Sequence, residues 1–217
     1  MENESFRIHS IHVGKPKTYE FNGKQIETSI YKHRVDQPVF LSEVNFEGDR
    51  QADLVYHGGR DKAVCVYPYD HYPYWESQLN KTLEGSAFGE NLTVEGLTEK
   101  DVYIGDVFAL GEAVVQISQP RQPCFKLAKK YDVKDMPLKV QMSGFTGFYF
   151  RVLNEGKVTP ASVLKRISRD PSQISVHFAN HIKYHDKENR EGIEKVLKVD
   201  ALSESWRASF EKMAASL

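Results

Sequence analysis

One cysteine in this chain stands in a setting built for chemistry. Gln119-Pro120-Arg121-Gln122-Pro123-Cys124 follows an apolar alternating run, Ala113 to Ser118, and precedes Phe125-Lys126-Leu127-Ala128-Lys129-Lys130. The first run reads as a strand and the second as the opening turns of a helix. Pro123 suits the first helical position, where its missing N–H would be unpaired anyway. Cys124 is then expected within the first helical turn, where unpaired N–H groups and the helix dipole favour an anion. The stretch reads as one that presents a thiolate beside the fixed charge of Arg121, and that thiolate reads as the ligand of a metal cofactor. Two other readings stay open. Cys124 is a buried core cysteine in one and a nucleophile with His57 as its base in the other. Cys65, inside Ala63-Val64-Cys65-Val66-Tyr67, reads as core.

Three further groups carry candidate chemistry. In His57-Gly58-Gly59-Arg60-Asp61-Lys62 the paired glycines let backbone approach a ligand, and the basic side chains suit an oxyanion or phosphate. The spacing is not that of a P-loop, and no Ser or Thr follows Lys62. An ordinary charged glycine turn is the alternative. Ser29, Lys32 and Arg34 lie at an expected strand end, where positions 32 and 34 share a face, so Lys32 and Arg34 are expected to point together. A charge-protected strand edge is the alternative. Asn91, in Phe88-Gly89-Glu90-Asn91-Leu92, donates to a ligand or satisfies a turn. His177, His181 and His185 recur at helical spacing, but with no carboxylate or cysteine set beside them they read as an exposed helix face.

The elements that must position these residues are mostly strands. Phe6 to Val13 alternates; Tyr19-Glu20-Phe21 and Ile26 to Tyr31 read as a hairpin turned by Asn22-Gly23; Ala63 to Tyr67 and Gly147 to Leu153 read as further strands. Asp70 is expected to cap a short aromatic helix ending at Leu79. From Ser172 the period becomes helical, with stripes such as Ile174-Phe178-Ile182 and Leu202-Trp206-Phe210. The fold expected is mainly β (α+β): a β-barrel with peripheral helices over residues 1–170, and a small C-terminal three-helix domain over 171–217 that packs on it.

Composition narrows the functional classes. The chain has 217 residues, a formal net charge of −1, 40% hydrophobic and 27% charged residues. Nothing global argues for duplex nucleic acid or a membrane surface. The opening Met1-Glu2-Asn3-Glu4-Ser5 lacks the pattern of a signal peptide, and two cysteines make no disulfide framework, so a cytoplasmic setting is expected. No Gly-x-Gly-x-x-Gly follows a strand, so electrons for any redox reaction are expected from a separate protein.

Taken together, three stretches resemble the MOSC-domain proteins of the YiiM type: 52–64 (Ala-Asp-Leu-Val-Tyr-His-Gly-Gly-Arg-Asp-Lys-Ala-Val), 88–92 and 119–127. The resemblance spans essentially the whole chain. It implies a MOSC-like β-barrel followed by a small helical domain, and binding of the molybdenum cofactor, a pterin dithiolene with a terminal phosphate. Cys124 occupies the position of the family cysteine that ligates molybdenum. The resemblance also implies reduction of N-hydroxylated substrates (hydroxylaminopurine-type bases, hydroxylamines, amidoximes), with electrons from an external flavoprotein, and it leaves room for a homodimer. Under it, Ser29, Lys32, Arg34, His57, Gly58, Lys62, Asn91 and Arg121 are the expected cofactor-binding residues, and Cys124, His57 and Asp61 the expected catalytic ones. The pyridoxal domain of the longer sulfurases is missing, so sulfur transfer is not implied. A non-catalytic carrier of the cofactor is the remaining alternative.

Overall fold

Alternating β-branched and aromatic residues build the wall of a barrel. A computed structural model describes residues 4–21 and 23–217, without the side chains of Val55 and Tyr56. Met1 to Asn3, Asn22 in the expected hairpin turn, and those two side chains of the 52–64 stretch lie outside the described residues. In chain order the strands are β1 (Ser5–Val13), β2 (Lys17–Phe21), β3 (Lys24–Thr28), β4 (His33–Arg34), β5 (Val39–Leu41), β6 (Val64–Pro68), β7 (Leu92–Val94), β8 (Val107–Leu110), β9 (Ala113–Pro120), β10 (Phe148–Asn154), β11 (Gly156–Val158) and β12 (Val163–Ser168). The α-helices are α1 (Leu54–His57), α2 (Tyr72–Leu79), α3 (Lys126–Tyr131), α4 (Met136–Ser143), α5 (Val176–Tyr184), α6 (Arg190–Leu197) and α7 (Glu204–Ala215).

The main sheet runs β12-β8-β9-β10-β6-β7-β1-β4, and β1 also pairs with β12, which closes a seven-stranded barrel among the described residues. Closure removes the open edges that would invite aggregation. Pairing is antiparallel except between β6 and β7. The β2–β3 hairpin and a β5–β11 ribbon are attached outside the wall. Gly147, just ahead of β10, has φ +73°, and a Cβ there would sit 2.3 Å from the Val66 carbonyl oxygen, so only glycine lets the two chains approach.

The barrel core continues without a break into the C-terminal helices. Ile117, Phe148, Phe150 and Val64 belong to the same buried cluster as Val176, Ile182, Val196, Trp206 and Phe210. Each of these helices starts on a side-chain cap: Ser175 accepts from Phe178 N, Asn189 from Gly192 N and Ser203 from Trp206 N. A second apolar cluster, with Tyr67, Tyr72, Trp75, Phe88, Leu127 and Met136, lies on the outside of the barrel. Asp70 does not cap the aromatic helix. Its carboxylate accepts from Gly96 N, and α2 starts at Tyr72 with Pro73 in its first turn. No helix among the described residues is long and apolar enough to cross a membrane.

Candidate functional site

Strand alternation places two polar side chains on the outer face of the barrel wall. Val64, Val66, Phe148 and Phe150 enter the barrel core, while the intervening Cys65 and Tyr149, register partners across β6 and β10, line a cleft between the two apolar clusters. The cleft has two lobes that share Asp53, His57, Lys62, Cys124 and Tyr149. The inner lobe, about 590 Å³ of open space, adds Ser29, Lys32, Asn91 and Arg121. The outer lobe, about 920 Å³, adds Gln119, Gln122, Pro123 and Phe125.

Cys124 stands where the lobes meet, but not inside a helix. β9 runs on to Pro120, Pro123 is not a helical residue, and α3 begins only at Lys126; the Cys124 carbonyl accepts from Leu127 N at 3.0 Å. The expected first-turn placement is therefore corrected: Cys124 lies two residues before α3, and its carbonyl accepts the turn that leads into the helix. The cysteine is half-buried on an irregular link between strand and helix.

The basic collar expected from the sequence is divided by the fold. β3 ends at Thr28, so residues 29–32 form a loop rather than a strand, and Lys32 and Arg34 do not share a face. Lys32 turns inward and donates to Asp49 Oδ1 at 2.5 Å. Asp49 also accepts from Gly14 N at 2.8 Å and from Asn91 Nδ2 at 2.9 Å. Asn91 is further occupied by the His12 carbonyl, to which it donates, and by Cys65 N, which donates to its Oδ1. Both residues border the inner lobe with their polar atoms engaged. Arg34 is exposed, pairs with Asp36, and does not line the cleft.

Arg121 differs. It is 5% exposed, and its Nη2 donates to the Phe88 carbonyl at 2.6 Å, while Nη1 has no hydrogen-bond partner among the described residues. Ser29 Oγ, also in the inner lobe, is likewise buried and unpartnered. Buried polar atoms are nearly always satisfied, so two such atoms on residues that line one cavity mark a place for a polar or anionic ligand.

His57 ends α1 and lines both lobes, as does Lys62. Burial, with Arg121 and Lys126 nearby, lowers the His57 pKa to about 4, so the ring is neutral at neutral pH. Burial also lowers the Lys62 pKa. Gly58 is not among the lining residues. A Cβ there would lie 2.6 Å from the Leu54 carbonyl, so glycine is needed for the chain to leave α1.

Asp61 is not among the residues that line the cleft. Its Oδ1 accepts from Arg151, 2.9 Å from Nε and 2.7 Å from Nη2, and its Oδ2 accepts from Glu204 N at 3.2 Å. His177 and His181 are exposed on α5 and His185 is exposed just past its end, and no group of three or more His, Cys, Asp or Glu among the described residues could hold a metal by itself. Sequence reading missed Tyr149, which sat in an apolar run, and took Cys65 as core alone. Cys65 is buried, yet it lines the cleft beside its register partner Tyr149. Burial pushes the Cys65 thiol up to about 11 and raises the Tyr149 phenol, so both hold their protons at neutral pH. The available signal was the alternation itself, which sets Cys65 and Tyr149 opposite their core neighbours.

This geometry can be set beside known proteins. Residues 53–164 match the family model of the MOSC domain. The chain is a MOSC-domain protein. Residues 174–216 match the model of the YiiM-like 3-alpha helix domain, which makes it a MOSC protein of the YiiM type. It is 61% identical to YflK of Bacillus subtilis (strain 168), over 98% of this chain and 96% of that protein. It is 38% identical to YiiM of Escherichia coli (strain K12), over 95% and 92%. The crystal structure of YiiM from Geobacillus stearothermophilus superposes with a TM-score of 0.82 at 40% identity, covering 96% of this chain and 99% of that one. A protein named reductase in Gibberella moniliformis is 34% identical over 158 residues, 71% of this MOSC protein but 28% of that longer one.

Proposed function

We propose that this MOSC protein binds the molybdenum cofactor in the inner lobe, through Cys124 as the metal ligand, and reduces N-hydroxylated small molecules in the outer lobe with electrons from a separate flavoprotein. The observation that carries the reading is the pair of buried, unpartnered groups in the inner lobe, Arg121 Nη1 and Ser29 Oγ, within one cleft with Cys124. Those donors fit the phosphate and polar edge of a pterin cofactor, and a thiolate suits molybdenum's preference for sulfur ligands. MOSC membership and the reductase among the relatives support redox chemistry. Arg121, Lys62 and Lys126 line the inner lobe as its further basic residues, while Lys32 is paired with Asp49.

When bound, the cofactor supplies the two-electron redox chemistry, and the protein supplies binding, orientation and electrostatics. Arg121 and Ser29 hold the anionic end. His57 is neutral at neutral pH, so its ring presents an unprotonated nitrogen that can accept a hydrogen bond from a bound molecule. Tyr149 Oη, protonated and lining both lobes, takes the proton-donor role.

The test is metal and pterin analysis of protein made in cofactor-competent cells, followed by reduction of an N-hydroxylated base driven by dithionite. Stoichiometric molybdenum that is lost in Cys124→Ser, with turnover dependent on it, is the expected result. Full molybdenum occupancy in Cys124→Ser, or turnover by metal-free protein, would overturn it.

A further inference from the structure

The first turn of α7 grips both loops of the cleft. Ser203 N donates to the Ser118 carbonyl at 3.0 Å, and Ser205 Oγ donates to Gln119 Oε1 at 3.2 Å, so two residues at the end of β9 are tied to the helix shortly before Cys124. Between them in sequence, Glu204 N donates to Asp61 Oδ2. Asp61 sits beside Lys62 and four residues after His57, in the other loop of the cleft. The two loops are also joined to each other, because Ser118 Oγ donates to the Asp61 carbonyl at 2.5 Å. Behind this turn, Trp206 and Phe210 are buried in the barrel core, and Arg207 holds the end of α6 by donating to the Leu197 and Val199 carbonyls. The turn is thus fixed to the buried core on one side and to two walls of the site on the other.

We propose that the three-helix unit is a clamp for the cleft: Asp61 and Ser205 are positioning residues that set the spacing between the His57–Lys62 loop and the Cys124 link. Neither touches the space where a ligand would sit. Asp61, flanked by Arg151 and by the first turn of α7, joins the barrel wall and the helix, and Ser205 fixes the carboxamide of Gln119, whose Nε2 is spent on its neighbour's carbonyl, Pro120 O. The role rests on the geometry of the cleft and not on which cofactor fills it.

Amide hydrogen exchange on the full-length chain tests this, with segment 57–62 and segment 119–125 as reporters and β8 (Val107–Leu110) as the remote control. In Ser205→Ala, and separately in Asp61→Ala, exchange in both reporter segments is expected to rise several-fold while β8 is unchanged. Ser205→Thr, which keeps the hydroxyl, is expected to restore the wild-type pattern. Unchanged reporter segments would overturn the proposal. So would a rise shared by β8, which would mean general loss of stability, or failure of Ser205→Thr to restore protection. If Asp61→Ala does not fold, Ser205→Ala and Ser205→Thr decide alone. The readout needs neither cofactor nor turnover, so its failure and that of the molybdenum reading are separable.

Discussion

Lys32 Nζ lies 2.5 Å from Asp49 Oδ1, and neither side chain is more than 6% exposed. The second carboxylate oxygen holds Asn91, which in turn receives Cys65 N, so one buried ion pair braces the back of the inner lobe. Lys32 therefore belongs to the frame of the site, and its charge is spent before any ligand arrives.

Removing one partner of such a pair leaves a buried charge uncompensated, at a cost of about 3–5 kcal/mol. Asp49→Ala is expected to lose that much in urea unfolding. The double variant Asp49→Leu with Lys32→Met is expected to recover a good part of it, since two apolar side chains leave no stranded charge. Equal losses in the single and double variants would show that the pair is not what holds this region.

Two histidines link stability to acid. His12 and His57 are both lowered to about 4, in each case by burial first, with nearby cations adding to it. The unfolded chain binds protons at about 6.5 that the fold refuses until about 4, so the contribution is complete above pH 6.5 and is lost as pH falls from 6.5 towards 4. At pH 5 the loss is expected to be about 1–2 kcal/mol for well-buried His12 and smaller for the more open His57. Urea melts at pH 7 and pH 5 measure it, with His12→Asn expected to flatten the profile. An unflattened profile would exclude His12 as its source.

Tyr149→Phe separates a proton-donating role from a packing role. The ring stays in place and only the hydroxyl, which lines the cleft beside Cys65, is removed. Stability is expected to change by no more than about 1 kcal/mol, the usual net value of one hydrogen bond. In molybdenum-loaded protein, kcat is expected to fall about 10²-fold, the lower end of general acid catalysis, with metal content unchanged. Equal kcat in the two proteins would remove Tyr149 from the chemistry.

What was readable in the sequence is what local pattern controls. The alternation of Ala113 to Ser118 became most of β9, and the helical period after Ser172 became α5 to α7. The three family stretches also fall around one cleft, as residues such as His57, Asn91 and Cys124 show. Long-range pairing was not readable. The partner of Lys32 is 17 residues away and that of Asp61 is 143 residues away, and no periodicity announces either. Lys32 and Arg34 looked alike as strand neighbours; only the loop that replaces the strand sends one to Asp49 and leaves the other in solvent. Tyr149 did not stand out within its strand, because an outward face covered by a second apolar cluster is as apolar in sequence as an inward one.

Arg121 carries the last expectation. A guanidinium that is 5% exposed, with Nη1 unpartnered, is an unfavourable arrangement until an anion reaches it. Glu90 lies near enough to influence it, but that carboxylate is already occupied by Tyr72, Thr93 and Phe88 N. The protein without cofactor is therefore expected to be stabilised by inorganic pyrophosphate in a saturable way. A ligand at 100 times its Kd contributes about 2.7 kcal/mol, which is several degrees in Tm for a chain of this size. Arg121→Met is expected to melt no lower than wild type in the absence of anion, because it removes a buried charge, and to lose the pyrophosphate-dependent shift. Thermal melts of both proteins across a pyrophosphate titration at constant ionic strength measure this. An undiminished shift in Arg121→Met would place the anion elsewhere, and a large loss of stability without anion would mean that the guanidinium is already satisfied by the fold.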